Sequence, residues 1–278
     1  RAQSAWTRWE LHGDIVSHAL INDSYFAILY KDGKVYLCRG DIRALESTTM
    51  LEDAEGEQYR TFIDYTVAGT ADDVDYKGRT SYIDPTAIGL PIFEDLLDKL
   101  YLVQWDPSND QGWIMKPTYK NGKLEFKGKL NTPEYGSFDN PQSITYGSQK
   151  FFIGYAFDWR VDLPKLYVKK EGEGTVQSWD TANVILQRVK LNFGRIGYYE
   201  TTLKRLGRED YTQIYEAKPM DKYEANEVGY QPDYEQTTPV YQRNTGVRMI
   251  IHAEHPSPAV LYSATWEGQY QENYVKRL

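Results

Sequence analysis

Two short turns constrain this chain more than any other feature. Lys31-Asp32-Gly33 separates the apolar run Tyr25–Tyr30 from the run Lys34–Arg39, and Asn121-Gly122 separates Trp113–Tyr119 from Lys123–Lys129. Asp-Gly and Asn-Gly between apolar runs demand a tight hairpin, because both central residues of the favoured turn need positive φ. A chain with such turns must build antiparallel strands from neighbours in sequence. After the second turn, Leu124, Phe126 and Leu130 fall on one face, and Lys123, Glu125, Lys127 and Lys129 on the other. That is the period of a half-buried strand with a basic outer face.

The same reading extends along the chain. Ile15–Leu20 is a strand, Asn22-Asp23 a turn, and with Trp6–Leu11 the first forty residues form a four-stranded meander. Such a unit has the size of one propeller blade. No second copy at a fixed period follows, so a complete propeller cannot be argued. Further strands are expected at Tyr59–Val67, Tyr101–Trp105, Lys150–Phe157, Leu166–Lys169, Val184–Phe193, Gly197–Leu203, Tyr211–Lys218, Met249–Ala253 and Val260–Tyr270. Composition agrees: 24 Tyr and 7 Trp in 278 residues favour pleated, half-buried surfaces. Tyrosine also suits broad interfaces, since it offers contact area at low entropic cost.

The fold class expected is therefore all-β and mainly antiparallel. A propeller-blade-like segment over 1–43 is followed by a connecting region over 44–110 and an antiparallel sandwich- or barrel-like body over 111–278. The acidic stretch 44–60 and the Asp-rich stretch 69–79 read as solvated loops. Ile92–Leu100, with Pro91 before it and acids early, is the best helix candidate, placing a short helix near 91–100. Residues 207–246 read as a long acidic, Tyr-rich loop, broken by Pro219, Pro232 and Pro239. A loop of that length inside a compact domain is usually functional or partner-bound.

Chemistry is sparse. His252-Ala253-Glu254-His255 has two histidines three apart on strand-like sequence, which points them to opposite faces, and a polar strand end is the better reading than a metal site. Asp73-Val74-Asp75-Tyr76-Lys77-Gly78 with Asp84 resembles a calcium loop, but Lys77 stands where an oxygen ligand belongs. Gly172-Glu173-Gly174 is flanked by acids and reads as a flexible turn, not a phosphate cradle. Cys38, the single cysteine, allows no internal disulfide and reads as a small buried hydrophobe. His12 and His18 form no evident triad. No catalytic residue, cofactor or metal site is expected. No apolar run approaches the roughly 20 residues that a membrane helix needs.

The net charge is −8, from 32 basic and 40 acidic residues. That makes tight phosphate-backbone binding a poor expectation, although an acidic wall could let DNA slide past without sticking. Basic residues gather at Lys165, Lys169 and Lys170, at Arg188, Lys190 and Arg195, and at Lys204, Arg205 and Arg208. Solvated strand faces account for them most simply. The functional reading is a subunit interface in which Lys204, Arg205 and Arg208 face the acidic 209–235 segment, with Tyr211, Tyr215, Tyr223, Tyr230 and Tyr234 supplying contact area.

Three sets of segments carry a family resemblance. They are Gln3-Ser4-Ala5-Trp6-Thr7-Arg8-Trp9 with Gly13-Asp14-Ile15; Phe151–Phe157 with Val184–Phe193 and Gly197-Tyr198-Tyr199; and Pro258–Tyr270. In this order they resemble the tail nozzle, or tail tubular protein B, family of short-tailed bacteriophages, over nearly the whole chain. The acidic 209–240 segment has no counterpart in that pattern. The resemblance implies the C-terminal portion of a structural subunit, not an enzyme. It further implies a homo-hexameric ring at the distal tail of the virion, assembled in the host cytoplasm. The implied neighbours are the adaptor (gatekeeper, tail tubular protein A) ring, the tail fibres, and double-stranded DNA passing through without sequence specificity. A tail-associated polysaccharide hydrolase, which would need two carboxylates facing a groove, and a non-catalytic carbohydrate- or receptor-binding module are the alternatives.

Overall fold

A computed structural model describes residues 10–22, 24–41, 51–52, 58–59, 61–106, 111–127, 150–172, 175–179, 183–217, 227–228, 231–257 and 259–271. The architecture is all-β and mainly antiparallel. By chain contacts it divides into a small unit, Arg1–Leu51, and a large one, Glu52–Leu278.

The small unit holds a three-stranded antiparallel sheet of β1 (Asp14–Ile21), β2 (Ser24–Lys31) and β3 (Lys34–Asp41). Asp32 and Gly33 both have positive φ, at 50° and 76°, as the hairpin turn requires. The fourth strand expected at Trp6–Leu11 falls almost wholly outside the described residues. Ala27 and Leu29 of β2 are buried, whereas every residue of β1 is exposed. Ile15, Val16, Leu20 and Ile21 are each more than half exposed, as are Val35 and Leu37 on β3. Cys38, expected to be buried, is only partly so. A short pair, β4 (Leu51–Glu52) and β5 (Gln58–Tyr59), follows.

The large unit begins with β6 (Asp64–Thr70), β7 (Val74–Lys77) and β8 (Thr80–Ile83), then β9 (Leu100–Asp106), β10 (Gln111–Met115), β11 (Thr118–Lys120) and β12 (Lys123–Lys127). The Asp-rich 69–79 stretch is thus not one loop. Asp73 receives the backbone N–H of Thr70 at 2.7 Å, and Val74–Lys77 pairs with β8. The helix expected near 91–100 is a 3-10 helix over Glu94–Lys99. Pro117 divides the strand expected over 113–119 into β10 and β11. Asn121 and Gly122 adopt positive φ, at 51° and 75°, and Leu124 and Phe126 are buried on one face of β12. Leu130 lies outside the described residues. β13 (Lys150–Tyr155) joins a sheet in which β10, β9, β13 and β6 follow in order, with β20 (Glu227–Val228) beside β10, while β11-β12-β8-β7 form a second sheet. Phe151 to Tyr155 of β13 are all buried, and the Tyr155 hydroxyl donates to Pro91 O at 2.9 Å.

The remainder is a sandwich. β14 (Trp159–Asp162) is followed by the hairpin β15 (Val168–Gly172) and β16 (Thr175–Trp179), then β17 (Asn183–Ile196), β18 (Tyr198–Arg205) and β19 (Tyr211–Glu216). After the short β20 (Glu227–Val228) come β21 (Gln231–Arg243), β22 (Val247–Ala253) and β23 (Ala259–Gln271). One sheet runs β14-β22-β18-β19, the other β21-β17-β23. Val184, Leu186, Val189, Leu191 and Phe193 from β17 pack into one core with Tyr199, Leu203, Met249 and Ile251 from the facing sheet. The expected loop over 207–246 is corrected: its second half is the thirteen-residue strand β21, paired along β17. Pro232 and Pro239 do not break it, because an edge strand tolerates residues that lack an N–H.

Candidate subunit-interface surface

Lys204, Arg205, Tyr211, Tyr215 and Tyr234 lie along the β18–β19 hairpin and the edge strand β21, with Arg208 at the hairpin tip. Leu203 faces Tyr211 across the hairpin. Gly207, with φ at 76°, lets the chain reverse, and Arg208 N–H donates to Arg205 O at 3.1 Å. The tip is tied down from outside: Leu206 N–H donates to Gly246 O at 2.9 Å, and Gln242 Nε2 to Leu206 O at 3.0 Å. Lys204 pairs with Asp210 at 3.1 Å. Part of the acidic segment therefore answers the basic cluster within one hairpin. The Arg205 Nε is buried with no hydrogen-bond partner among the described residues, and Arg208 is exposed.

The tyrosines divide into two groups. Tyr215 lies against Tyr234 at 4.0 Å and stacks on Tyr199 at 5.3 Å, and Tyr199 stacks in turn on Phe193 at 4.1 Å. These rings form a column through the sandwich, contributed by β17, β18, β19 and β21. The Tyr199 hydroxyl donates to Gln236 Oε1, and the Gln236 amide lies within 3.1 Å of Thr201, Gln213 and Thr238 oxygens. Burial, then the neighbouring Tyr234, raises the pKa of both Tyr199 and Tyr215, so both stay protonated donors at neutral pH. Tyr211 is different: it is 44% exposed at the start of the edge strand β19, and Ile214, 61% exposed, projects from the opposite face. Tyr223 and Tyr230 lie outside the described residues. Tyr199, Gln236 and Ile214 are not among the interface residues expected from sequence. The first two become recognisable only once β21 is a strand, since Tyr234, Gln236, Thr238 and Val240 then alternate inward.

The histidine motif is taken apart by the fold. His252, on β22, has its Nε2 2.7 Å from Asp158 Oδ1. His255, beyond the strand end, accepts the Ser257 N–H on Nδ1 at 3.2 Å and stacks on Tyr198 at 4.7 Å, with Tyr101 nearby. Burial pushes the His255 pKa down to about 4. Asp73 caps Thr70, Asp84 accepts the Thr86 N–H, and Asp75 pairs with Lys123, so the acids of the calcium-like stretch each serve local structure. Among the described residues, no group of three or more His, Cys, Asp or Glu is placed to hold a metal ion, and no helix is long and apolar enough to cross a membrane.

Against models of known protein families, residues 1–277 match the one described as bacteriophage nozzle protein. Comparison with curated proteins gives no match.

Proposed function

This chain belongs to the bacteriophage nozzle protein family and is a structural protein of the phage tail, and from that premise we propose that it is a wall element of the distal tail conduit. Copies of the chain, as tail tubular protein B subunits, form a hexameric ring beneath the adaptor ring and near the tail fibres. The ring retains the genome before infection and passes it during ejection. The chain acts without catalysis.

The family match over nearly the entire chain carries this reading, and favours it over a polysaccharide hydrolase or a sugar-binding module. Two features support it. Net charge −8 gives a wall from which a polyanion slides instead of one to which it adheres. Exposed apolar residues along β1 and β3 are of the kind that assembly covers.

The test is mass by light scattering, for the chain alone and mixed with the adaptor protein of the same phage. A ring-sized co-complex is expected, with antibodies to the chain labelling the distal tail in micrographs of the virion. Labelling confined to the capsid, with no complex with the adaptor, would overturn the proposal.

A further inference from the structure

The sandwich has four strand edges, and they are not protected alike. Exposed edges invite pairing with other chains, and proteins blunt them with prolines, charges or brevity. β21 carries Pro232 and Pro239 together with Asp233, Glu235 and Arg243. β14 is four residues long and carries Arg160 and Asp162. Both are guarded.

Among the described residues, the other two edges are not. β23 runs for thirteen residues with no proline and no lysine or arginine. Its one charge, Glu267, is held by Arg188 at 3.0 Å and Lys190 at 3.3 Å on β17. Residues 262–265 and 267–271 are exposed. β19 has no proline and no cation, and exposes Tyr211 and Ile214. Because Tyr215 of β19 lies against Tyr234 of β21, β19 and β23 belong to different sheets and open on opposite sides of the sandwich.

A closed ring of identical subunits is built from heterologous contacts, in which one surface of a copy meets a different surface of the next. Two unguarded edges on opposite sides supply such a pair. The only charges on the two strands are Glu216 of β19 and Glu267 of β23, and the second is held by Arg188 and Lys190, so the edges can approach without like-charge repulsion. We infer that the β23 edge of one copy adds to the β19 edge of the next, so that main-chain hydrogen bonds join neighbouring subunits. The inference rests on the ring reading proposed above.

Guarding each edge separately tests it. Ser263→Lys with Gln269→Lys guards β23, and Thr212→Lys with Ile214→Lys guards β19. All four positions are exposed. If a lysine pair lowers the melting temperature, Thr265→Glu with Gln269→Glu, or Thr212→Glu with Ile214→Glu, replaces it. Sedimentation velocity is expected to show the unsubstituted chain as a ring-sized species in the presence of the adaptor protein of the same phage. Each guarded variant alone should stay monomeric, with association weakened at least tenfold. An equimolar mixture of the two should stop at dimers, because each variant keeps one competent edge. Guarded variants that form rings like the unsubstituted chain would overturn the inference and leave the ring reading standing. So would a variant that dimerises with itself, or a mixture that stays monomeric. An unsubstituted chain that never associates, even with the adaptor present, would overturn both.

Discussion

The ring of Tyr262 lies across Gly194, in the space that a Cβ at position 194 would occupy. The register of β23 against β17 shifts between Asn192 and Phe193, and Tyr262 is the extra residue there. Gly194→Ala should therefore cost about 1–2 kcal/mol, since the exposed Tyr262 ring can swing aside and lose only its contact. Tyr262→Ala in the same chain should recover most of that loss. Urea unfolding of the two single variants and the double variant measures the coupling.

Gly268 and Gly154 should behave differently. A Cβ at Gly268 would meet the Ile185 carbonyl oxygen, and one at Gly154 would stand 2.6 Å from Asp64 O. Backbone cannot swing aside. Alanine at either position should cost about 3 kcal/mol or more, and no second substitution of a side chain should rescue it.

The Tyr199–Gln236 pair is buried, with neither side chain open to water. Tyr199→Phe strands a Gln236 oxygen and should cost about 1–3 kcal/mol. Gln236→Leu should cost more, because it also takes the amide donor from Thr201, Gln213 and Thr238. The double variant should lose less than the sum, because the Tyr199 hydroxyl is no longer left without its acceptor. Chemical denaturation gives all three values.

His255 sets an acid limit. Burial holds its pKa at about 4, below the ordinary 6.5, so the unfolded chain binds the proton more tightly than the folded one. The stability this represents is fully present above about pH 6.5 and is lost as pH falls toward 4. Protonation also removes the acceptor for the Ser257 N–H. Its ring lies against Tyr198, with Tyr101 nearby. Melting temperature between pH 7 and 4 should fall more steeply for the natural chain than for His255→Phe. Equal slopes would refute this account.

At the surface, Glu267→Gln should cost less than about 1 kcal/mol, because Glu267 and Arg188 are about half exposed and Lys190 is partly so. The difference should shrink further in high salt.

Much of the fold was legible because its signals are local. Asp32-Gly33 and Asn121-Gly122 specify their turns within two residues, and the alternation around Leu124 and Phe126 specifies a face. β21 was misread for an equally physical reason. Pro232 and Pro239 are strong breakers in a central strand and harmless at an edge, and whether a strand is central depends on a partner, β17, some forty residues away. Read with period two, Tyr234, Gln236, Thr238 and Val240 alternate with Glu235, Thr237, Pro239 and Tyr241, which is a strand signal that the prolines obscured. The ring column of Phe193, Tyr199, Tyr215 and Tyr234 was out of reach of local reading, since four strands contribute to it. The same limit separated Tyr215, packed inside the sandwich, from Tyr211 on its rim.

The length of β17, β21 and β23 has a mechanical consequence. Strands of 14, 13 and 13 residues, at about 3.4 Å per residue, extend roughly 45 Å, more than twice the usual strand. Their ladders run nearly end to end. A force applied along such strands loads the cross-strand hydrogen bonds together, in shear, and none can fail until many do. A force applied across the ends opens them one at a time. The sandwich is thus stiff in one direction and weak in another, and a wall built from it withstands internal pressure best when the long strands lie along the line of tension.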